Sequence, residues 1–377
     1  MKLISWNTTN QCNMRCEHCY RRANETFEGL TRIRPPEDEL TTAEARQMIL
    51  EIKKAGFQIM IFSGGEPMMR HDLFELGAFA KQIGLRPVLG TNATLITEKI
   101  AFKLKEAGFI AAGVSLDSLD PEKLADFRKL PNCLERVLQG IENLKKAGIH
   151  VQIHTTIMNW NLCELEAITD FAVEIGAMSH HFFFLVPTGR AVQMKSEQIS
   201  DTDYEKAVRW IMKKQKTVPI ELKPTCAPQF MRVADQIGLK TRFSRGCLAG
   251  ISYCIISPNG DVRPCAYLNN TLGNVKEIEF DKIWNNHPSL KLLRTEEVSG
   301  KCGQCKYKHV CGGCRARAFY ETGDYMGEDP NCLYQPRGES DKDGIRHPGP
   351  PSAGPHAAGI PHDCIAMGEH RKPAWHK

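Results

Sequence analysis

Short apolar runs alternate with amphipathic stretches over residues 1–215, and this alternation predicts strands and helices in turn. Thr41 or Thr42 is expected to cap the first long helix, which Gly56 closes, and Thr97 to cap another helix, which Gly108 closes. The apolar runs predict six strands, at residues 3–7, 58–63, 86–90, 111–116, 151–156 and 181–186.

Six strand-helix repeats imply a parallel α/β sheet whose connections are right-handed. A closed barrel of this kind has eight repeats. We therefore expect a partial (β/α)6 barrel, TIM-like and open on one side, with its active groups at the carboxyl ends of the strands.

Composition narrows the class of protein. The 377 residues suffice for one large domain and a smaller one, and the net charge of +5 is too small and too scattered to indicate a nucleic-acid partner. No apolar run is long enough for a membrane span, and the polar residues after Lys2 do not form a signal sequence, so a cytoplasmic location is expected. Fifteen cysteines in such a chain indicate metal or iron-sulfur chemistry in a reducing, anaerobic compartment.

The composition also suggests four segments along the chain. Residues 1–215 form the predicted barrel, 216–245 a bridging segment, and 246–336 a small cysteine-rich domain. Residues 337–377 are rich in Pro, Gly and His and poor in apolar side chains, which predicts a disordered tail.

The loop after the first predicted strand carries Cys12, Cys16 and Cys19 in the spacing C-x3-C-x2-C. Three thiolates on one loop can hold three irons of a 4Fe-4S cubane and leave the fourth iron open. A zinc site completed by His18 is the alternative, because zinc takes four ligands.

A second motif, Gly64-Gly65-Glu66-Pro67, follows the second predicted strand. The glycines allow close approach of the backbone, and the carboxylate can accept a hydrogen bond from an ammonium group.

Together, C-x3-C-x2-C followed by Tyr20 and then GGEP resembles the radical S-adenosylmethionine (radical SAM) superfamily. The resemblance implies that the amino and carboxylate groups of SAM fill the open iron site, and that one-electron reduction releases a 5'-deoxyadenosyl radical. Taken singly, several of the implied SAM contacts fit a helix cap or a turn better, and Arg128 fits an exposed helix position. The SAM contacts implied by the resemblance are Gly64, Gly65, Glu66, Pro67, Thr91, Asn92, Ser115, Asp117, Arg128 and Gly189.

Cysteines return in the last third of the chain, in an arrangement that resembles the SPASM extension of radical SAM enzymes, which holds auxiliary 4Fe-4S clusters. The hairpin turn expected at Asn259-Gly260 lies within it. By the family's interleaved pattern, Cys247, Cys254, Cys265 and Cys314 hold one cluster, and Cys302, Cys305, Cys311 and Cys332 hold another. The last pair departs from the family, since two residues rather than three separate its cysteines, so a single cluster with spare thiols and a zinc ribbon stay open. Cys226 is either a buried apolar residue or a distant ligand.

Longer stretches, among them SWNTTNQC, QIHTTIM, FFFLVPTGRA and VCGGCRAR, resemble the radical SAM haem synthases of the siroheme-dependent pathway. This resemblance implies an iron porphyrin substrate, Fe-coproporphyrin III, and a low-potential electron donor such as ferredoxin or flavodoxin. The open alternatives are a related haem or haem d1 precursor enzyme, a peptide-modifying SPASM enzyme, and a non-enzymatic electron carrier or zinc module. The candidate substrate residues are His154, His180, His181, Arg190, Lys223, Arg232, Arg315 and Arg317, although core histidines and surface arginines are common.

Overall fold

A single twisted sheet organises the protein. The computed structural model describes residues 1–21 and 38–336, and the predicted tail lies outside these residues. Over the described residues, the sheet has ten strands in the order β10-β9-β8-β1-β2-β3-β4-β5-β6-β7. The strands are β1 (Leu3–Asn7), β2 (Ile59–Ser63), β3 (Arg86–Thr91), β4 (Ala111–Ser115), β5 (His150–Ile157), β6 (Ser179–Phe184), β7 (Glu221–Thr225), β8 (Tyr253–Ile256), β9 (Asp261–Arg263) and β10 (Gly273–Asn274).

Helices connect the parallel strands and continue after the sheet. They are α1 (Thr42–Lys54), α2 (Leu73–Gln82), α3 (Glu98–Glu106), α4 (Pro121–Arg128), α5 (Cys133–Lys146), α6 (Leu165–Glu174), α7 (Asp201–Lys214), α8 (Phe230–Gln236), α9 (Phe280–Asn286), α10 (Pro288–Thr295), α11 (Gly300–Gly303) and α12 (Arg315–Thr322). Short 3-10 helices span Pro67–Met69, Asn159–Glu164 and Gly189–Glu197. Within the described residues, none of the helices combines the length and the apolar character that crossing a membrane requires.

The six predicted strands are confirmed as β1 to β6, and all of them pair in parallel with their neighbours. The sixth strand begins two residues earlier than the pattern predicts. The predicted helix starts are confirmed as well: Thr41 forms a capping box with Glu44, and Thr97 accepts a hydrogen bond from the backbone of Ile100. The expected α/β partial barrel is therefore present.

The sheet is wider than the sequence pattern predicts. β7, which lies in the predicted bridging segment, pairs in parallel with β6 and forms one edge of the sheet. Its central Pro224 cannot donate to a ladder, which suits an edge strand. At the other side, β8 pairs in parallel with β1, and β9 turns back antiparallel through the predicted turn at Gly260. Because the sheet crosses the expected segment boundaries, those boundaries stay predictions.

One face of the parallel strands lines the interior of the partial barrel. In β5 and β7, buried residues alternate with more exposed ones. Side chains of a strand point alternately to its two faces, so this pattern shows that one face is covered more fully than the other. The helical layer covers the buried set, and the partly exposed set faces the interior. The carboxyl ends of β1 to β6 meet at one edge, where the cysteine loop begins.

Arg70 fixes the start of this loop from inside the protein. Its guanidinium pairs with Asp72, donates to the carbonyls of Thr8 (2.9 Å) and Leu40 (2.9 Å), and lies over the ring of Trp6. The Arg70 side chain is fully buried. A buried guanidinium is tolerated only where its donors are satisfied, so Arg70 ties the end of β1 to the segment that precedes α1.

Replacing Arg70 with Met should destabilise the protein by about 3 kcal/mol, because Asp72 is left buried without its cation. The matched control is Arg46→Met, which removes an exposed pair with Glu75 and should cost about 0.5 kcal/mol. Urea unfolding followed by circular dichroism measures both. Equal losses in the two variants would show that Arg70 has no special structural role.

Candidate functional site

The predicted cysteine loop begins directly after β1, and its three thiols lie together. Cys16 and Cys19 each raise the pKa of the Cys12 thiol, although burial is the largest cause. Burial also raises the pKa of Cys16, and the cation of Arg128 opposes this rise. Cys12 and Cys16 therefore stay protonated until a metal displaces the protons, as is usual for metal-binding cysteines.

The GGEP loop holds the front of the cysteine loop. The backbone N–H of Gly65 donates to the carbonyl of Thr9 (2.8 Å), and that of Glu66 donates to the carbonyl of Gln11 (2.7 Å). A side chain at Gly65 would come within 2.1 Å of the Gln11 carbonyl, and one at Gly64 within 2.9 Å of the Thr9 carbonyl. The glycines thus allow two backbones to touch.

Glu66 connects the GGEP loop to the end of β3. Its carboxylate accepts hydrogen bonds from the hydroxyl of Thr91 (2.7 Å) and from the backbone N–H groups of Asn92 (2.9 Å) and Met68 (3.2 Å). The side chain is buried, and burial raises the pKa of this carboxyl group to about 7. Pro67 begins the short helix that Glu66 caps. Both carboxylate oxygens have internal donors, so the predicted contact of Glu66 with an ammonium group stays a prediction.

Asn13 is a site residue that the sequence analysis missed. Its side-chain oxygen accepts from Asn92 (2.8 Å), and its amide donates to Thr94 (2.8 Å), whose hydroxyl donates to Asn92 (2.7 Å). These three side chains form a closed set of hydrogen bonds, which connects Asn13, the residue after Cys12, to the end of β3. In the sequence, the one local signal for Asn13 is its position beside a cysteine, and this signal is too common to identify a site residue.

Arg128 and Asp117 hold the back of the cysteine loop. The Arg128 guanidinium forms an ion pair with Asp117 and lies 3.6 Å from the sulfur of Cys16. Asp117 also accepts from the backbone of Thr156 (2.9 Å). Burial opposes the charged form of Arg128, but Asp117 and Cys16 raise its pKa, and the net change is a raised pKa. Arg128 is thus a buried cation beside the thiol of Cys16, rather than an exposed helix residue.

Ser115 ends β4 at the same edge of the sheet, opposite His154 of β5. The predicted contacts of Ser115, Asp117 and Arg128 with SAM stay predictions.

Gly189 and Arg190 hold the end of the loop. Gly189 has a positive φ of 61°, and a side chain there would come within 2.2 Å of the carbonyl of Tyr20. Arg190 donates from its backbone to the carbonyl of Cys19 (2.9 Å) and from Nε to that of Cys16 (2.9 Å). The structure places the backbone of Tyr20 against Gly189, and the predicted contact of Gly189 with SAM stays a prediction. Arg190, expected as a cation at the mouth of the barrel, positions the cysteine loop.

The zinc alternative for this loop lacks its fourth ligand. The ring of His18 stacks on Phe127 with centroids 4.7 Å apart, and burial lowers the pKa of His18 to about 4. Over residues 1–21 and 38–336, no three His, Cys, Asp or Glu side chains are arranged to hold a single metal ion. A cubane places each thiolate on a different iron, so its ligands lie farther apart than those of one ion. The cysteine loop fits the cubane.

The later cysteines fall into two groups. In the first, Cys302, Cys305, Cys311 and Cys332 line one cavity. The cavity is also lined by Arg232 and Tyr307. These four are the thiols that the sequence predicts for one auxiliary cluster, and the structure brings them together.

The second group contains Cys247, Cys265 and Cys314, but the structure does not add Cys254 to it. Cys247 raises the pKa of both other thiols, for which burial is the largest cause. Cys254 is fully buried in β8, where it pairs with Ile4 of β1 in the main core. The predicted ligand set is therefore corrected at this position: a strand alternates its side chains, and Cys254 points into the core.

An aromatic pair connects the cysteine loop with the second group. The rings of Tyr20 and Tyr267 contact edge to face, with centroids 5.4 Å apart. Cys265 lies near both phenols and raises the pKa of each, although burial is the larger cause.

Comparison with known proteins identifies the family. Residues 6–172 match the radical SAM superfamily, and residues 247–315 match SPASM, an iron-sulfur cluster-binding domain. The chain belongs to the radical SAM superfamily and carries a SPASM domain.

Relatives support this membership along most of the chain. An AdoMet-dependent heme synthase of Methanosarcina barkeri is 43% identical over 348 residues, which cover 89% of this chain and 97% of the relative. Another of the same name, from Oleidesulfovibrio alaskensis, is 41% identical over 89% of this chain and 88% of its own. Among solved structures, Streptococcus suis SuiB bound to its precursor peptide SuiA matches with a TM-score of 0.70, covering 88% of this chain and 76% of that chain. At 17% identity that match shows the fold alone.

This radical SAM protein binds a 4Fe-4S cluster with SAM, and its SPASM domain binds iron-sulfur. The assignment of these groups to individual cysteines stays a prediction. The thiol geometry fits both assignments: three cysteines converge on one loop, and two further groups lie in the cysteine-rich segment.

The inner face of the barrel carries two of the predicted histidines. The rings of His154 and His181 stack with centroids 5.0 Å apart and nearly parallel planes, and the Nε2 atom of each is buried with no hydrogen-bond partner among the described residues. Burial lowers the pKa of His154 to about 4 and also lowers that of His181, so both rings are neutral. Lys223 lies beside His181 on the neighbouring strand.

His180 is a core residue, which corrects its prediction as a substrate contact. It faces the helical layer, opposite to His181, and is fully buried. Its two ring nitrogens lie 2.9 Å from the hydroxyl of Thr155 and 3.1 Å from that of Thr169.

Three of the predicted cations are also internal. Arg232 pairs with Glu205 and lies at the first auxiliary group. Arg315 donates to the carbonyls of Tyr325 (3.0 Å) and Gly327 (2.7 Å). Arg317 pairs with Asp329 and is nearly fully buried. The physical reason is common to all three: each arginine satisfies carbonyls or carboxylates inside the protein itself.

Substituting Gly189 with Ala should displace the end of the cysteine loop and slow reductive SAM cleavage by more than about tenfold, since about 1.4 kcal/mol of misplacement suffices for that change. The matched control is Gly176→Ala, which has the same positive φ but no atom within 4 Å of the added carbon. It carries the backbone strain without the clash, so it should cleave SAM at the normal rate.

Rates are measured as 5'-deoxyadenosine formed by the reduced, reconstituted protein. If SAM cleavage slows equally in both variants, the loss is caused by backbone strain and not by contact with Tyr20.

Proposed function

We propose that this protein makes haem b from Fe-coproporphyrin III by converting two propionate side chains to vinyl groups. The observation that carries the proposal is the similarity to AdoMet-dependent heme synthases along nearly the whole of both chains. A peptide-modifying enzyme is the less favoured candidate, because its support is a likeness of fold at 17% identity.

Each conversion removes one hydrogen atom, one carbon dioxide and one electron from a propionate. When bound, SAM and its cluster supply the carbon radical that takes the hydrogen from the side-chain β carbon. The protein's own residues keep this position fixed: GGEP, Arg128 and Arg190 hold the cysteine loop at the carboxyl edge of the sheet. A fixed position matters because a displacement of about 1 Å can cost a hundredfold in rate.

The inner face of the barrel suits an iron porphyrin. Neutral imidazole is a metal ligand, and His154 and His181 present two neutral rings there. Lys223 supplies a cation for a propionate. Its ammonium lies 3.5 Å from the centroid of the Phe243 ring.

The electron left after decarboxylation needs an acceptor. We assign one auxiliary 4Fe-4S cluster to the four thiols that share a cavity, Cys302, Cys305, Cys311 and Cys332. The initial reduction needs a low-potential donor, for which ferredoxin or flavodoxin is the expected class. Because two propionates cannot face one radical site together, the porphyrin turns or rebinds between the two conversions.

Anaerobic reconstitution with SAM, a reductant and Fe-coproporphyrin III tests this function. The expected products are 5'-deoxyadenosine and a porphyrin that has lost two carboxyl groups, with a mono-vinyl intermediate that rises and falls. Mass spectrometry of a time course measures all three.

SAM cleavage without any change in the porphyrin would reject the substrate while leaving the family intact. The control substrate is the same porphyrin with its propionates esterified, which cannot release carbon dioxide and should gain no vinyl group.

Lys223→Met should weaken porphyrin binding by about tenfold, which corresponds to about 1.4 kcal/mol for a lost charged hydrogen bond. The control is Lys213→Met, since that lysine is exposed on α7. Absorbance titration with the porphyrin gives the dissociation constants of both variants. An unchanged constant for Lys223→Met would remove this lysine from the binding face.

The same titration should depend on pH. Burial lowers the pKa of Lys223 to about 8, so its charge is present below this pH and is lost as the pH rises through it. Porphyrin affinity of the unmodified protein should therefore fall above about pH 8, and the Lys223→Met variant should lack this step.

A further inference from the structure

The second auxiliary group contains three thiols from the SPASM segment, whereas a closed cubane needs four. Cys254, the fourth ligand suggested by the sequence pattern, lies in the core of the sheet. Burial raises the pKa of Cys254, and the cations of Arg294 and Lys2 oppose this rise. The fourth ligand must come from elsewhere in the chain, or one iron stays open.

Cys226 lies at the position that is needed. It follows β7, at the far edge of the sheet from β8, and its side chain packs in one small apolar cluster with Cys265 and Cys314. The same cluster contains Val186 and Leu268. Cys226 is therefore 21 residues before Cys247 in the sequence but beside the group in space.

Cys226 has the thiols of the second group as neighbours. Burial is the largest cause of the raised pKa of Cys226, and Cys314, Cys265 and Cys247 raise it further. Cys247 and Cys314 act in the same way on Cys265. Together with the shared apolar cluster, these contributions place Cys226 beside the thiols of the second group.

The backbone at Cys226 is held in an unusual conformation. Its φ is +60°, which a side chain adopts only at an energetic cost of about 1 kcal/mol. Such strain persists where surrounding contacts determine the geometry. At Cys226 the contact is a hydrogen bond from Arg317 Nη2 to its carbonyl (2.9 Å).

Arg317 also connects Cys226 to Cys314. Arg317 pairs with Asp329 (3.3 Å), and the same carboxylate accepts from the backbone N–H of Cys314 (2.7 Å) and from Gln229 (2.7 Å). Arg317 and Asp329 are nearly fully buried. One buried ion pair thus fixes the backbone of two cysteines that are distant in sequence.

We propose that Cys226 is the fourth ligand of an auxiliary 4Fe-4S cluster held by Cys226, Cys247, Cys265 and Cys314. With a thiolate on every iron, this cluster has no open site for a substrate group, so its role is electron transfer. The proposal rests on the iron-sulfur chemistry of the SPASM domain and not on the identity of the porphyrin.

Cys226→Ala and Cys254→Ala provide a matched test, since each removes one buried thiol. Both are made in a protein whose Cys12, Cys16 and Cys19 are already alanine, so that iron bound at the SAM site does not contribute. Iron and acid-labile sulfide per chain, and Mössbauer spectra after reconstitution with ⁵⁷Fe, are measured.

Cys226→Ala should lose at least one iron of a cubane and change the Mössbauer spectrum, whereas Cys254→Ala should keep the iron content and spectrum of its parent. Iron loss in Cys254→Ala with none in Cys226→Ala would overturn the assignment. Full iron and an unchanged spectrum in both would also overturn it.

Cys226→Ser covers the case in which the alanine variant fails to fold. Serine has nearly the same volume and places an oxygen where the sulfur was, so the fold is kept and the electron paramagnetic resonance spectrum of the reduced cluster should shift. An unshifted spectrum contradicts ligation by Cys226. Neither result depends on haem formation, so failure of this assignment is distinct from failure of the proposed function.

Discussion

The position of one loop determines what this protein can do, and hydrogen bonds from three parts of the sheet fix that position. The GGEP loop after β2 holds the front of the loop, the end of α4 holds its middle, and Gly189 with Arg190 holds its end. Most of these contacts join backbone atoms, which restricts the movement of the thiols. A radical site needs this rigidity, because the abstracted hydrogen must be within contact distance and correctly oriented.

The buried charges around this loop follow one principle. Arg70, Arg128 and Arg317 each lie inside the protein, and each is neutralised by an aspartate and further satisfied by a carbonyl or a thiol. A buried arginine that lost its partner would be strongly destabilising, so these pairs hold loops in place. The same principle explains why most of the arginines expected to contact a porphyrin do not face the barrel interior.

The sequence predicted those parts of the structure that local patterns determine. β1 to β6, the caps at Thr41 and Thr97 and the turn at Gly260 each depend on a few adjacent residues, and all were found. The pairing of β8 with β1 joins segments about 250 residues apart, and no local pattern encodes it. β7 was missed because Pro224 interrupts its apolar pattern. Cys226 could not be assigned, because its neighbours come from a segment that folds beside it only in three dimensions.

The central claim is that the cluster on the cysteine loop has one iron without a thiolate, where SAM binds. The cysteine that would compete with SAM for this iron is Cys133, since it is buried near Cys16 and Arg128. Electron-nuclear double resonance of the reduced protein shows whether SAM or the Cys133 thiol binds the fourth iron, if the SAM carries ¹⁵N at its amino group. The account predicts a nitrogen coupling to the cluster that also appears in a Cys133→Ala variant; no coupling with SAM bound would contradict it.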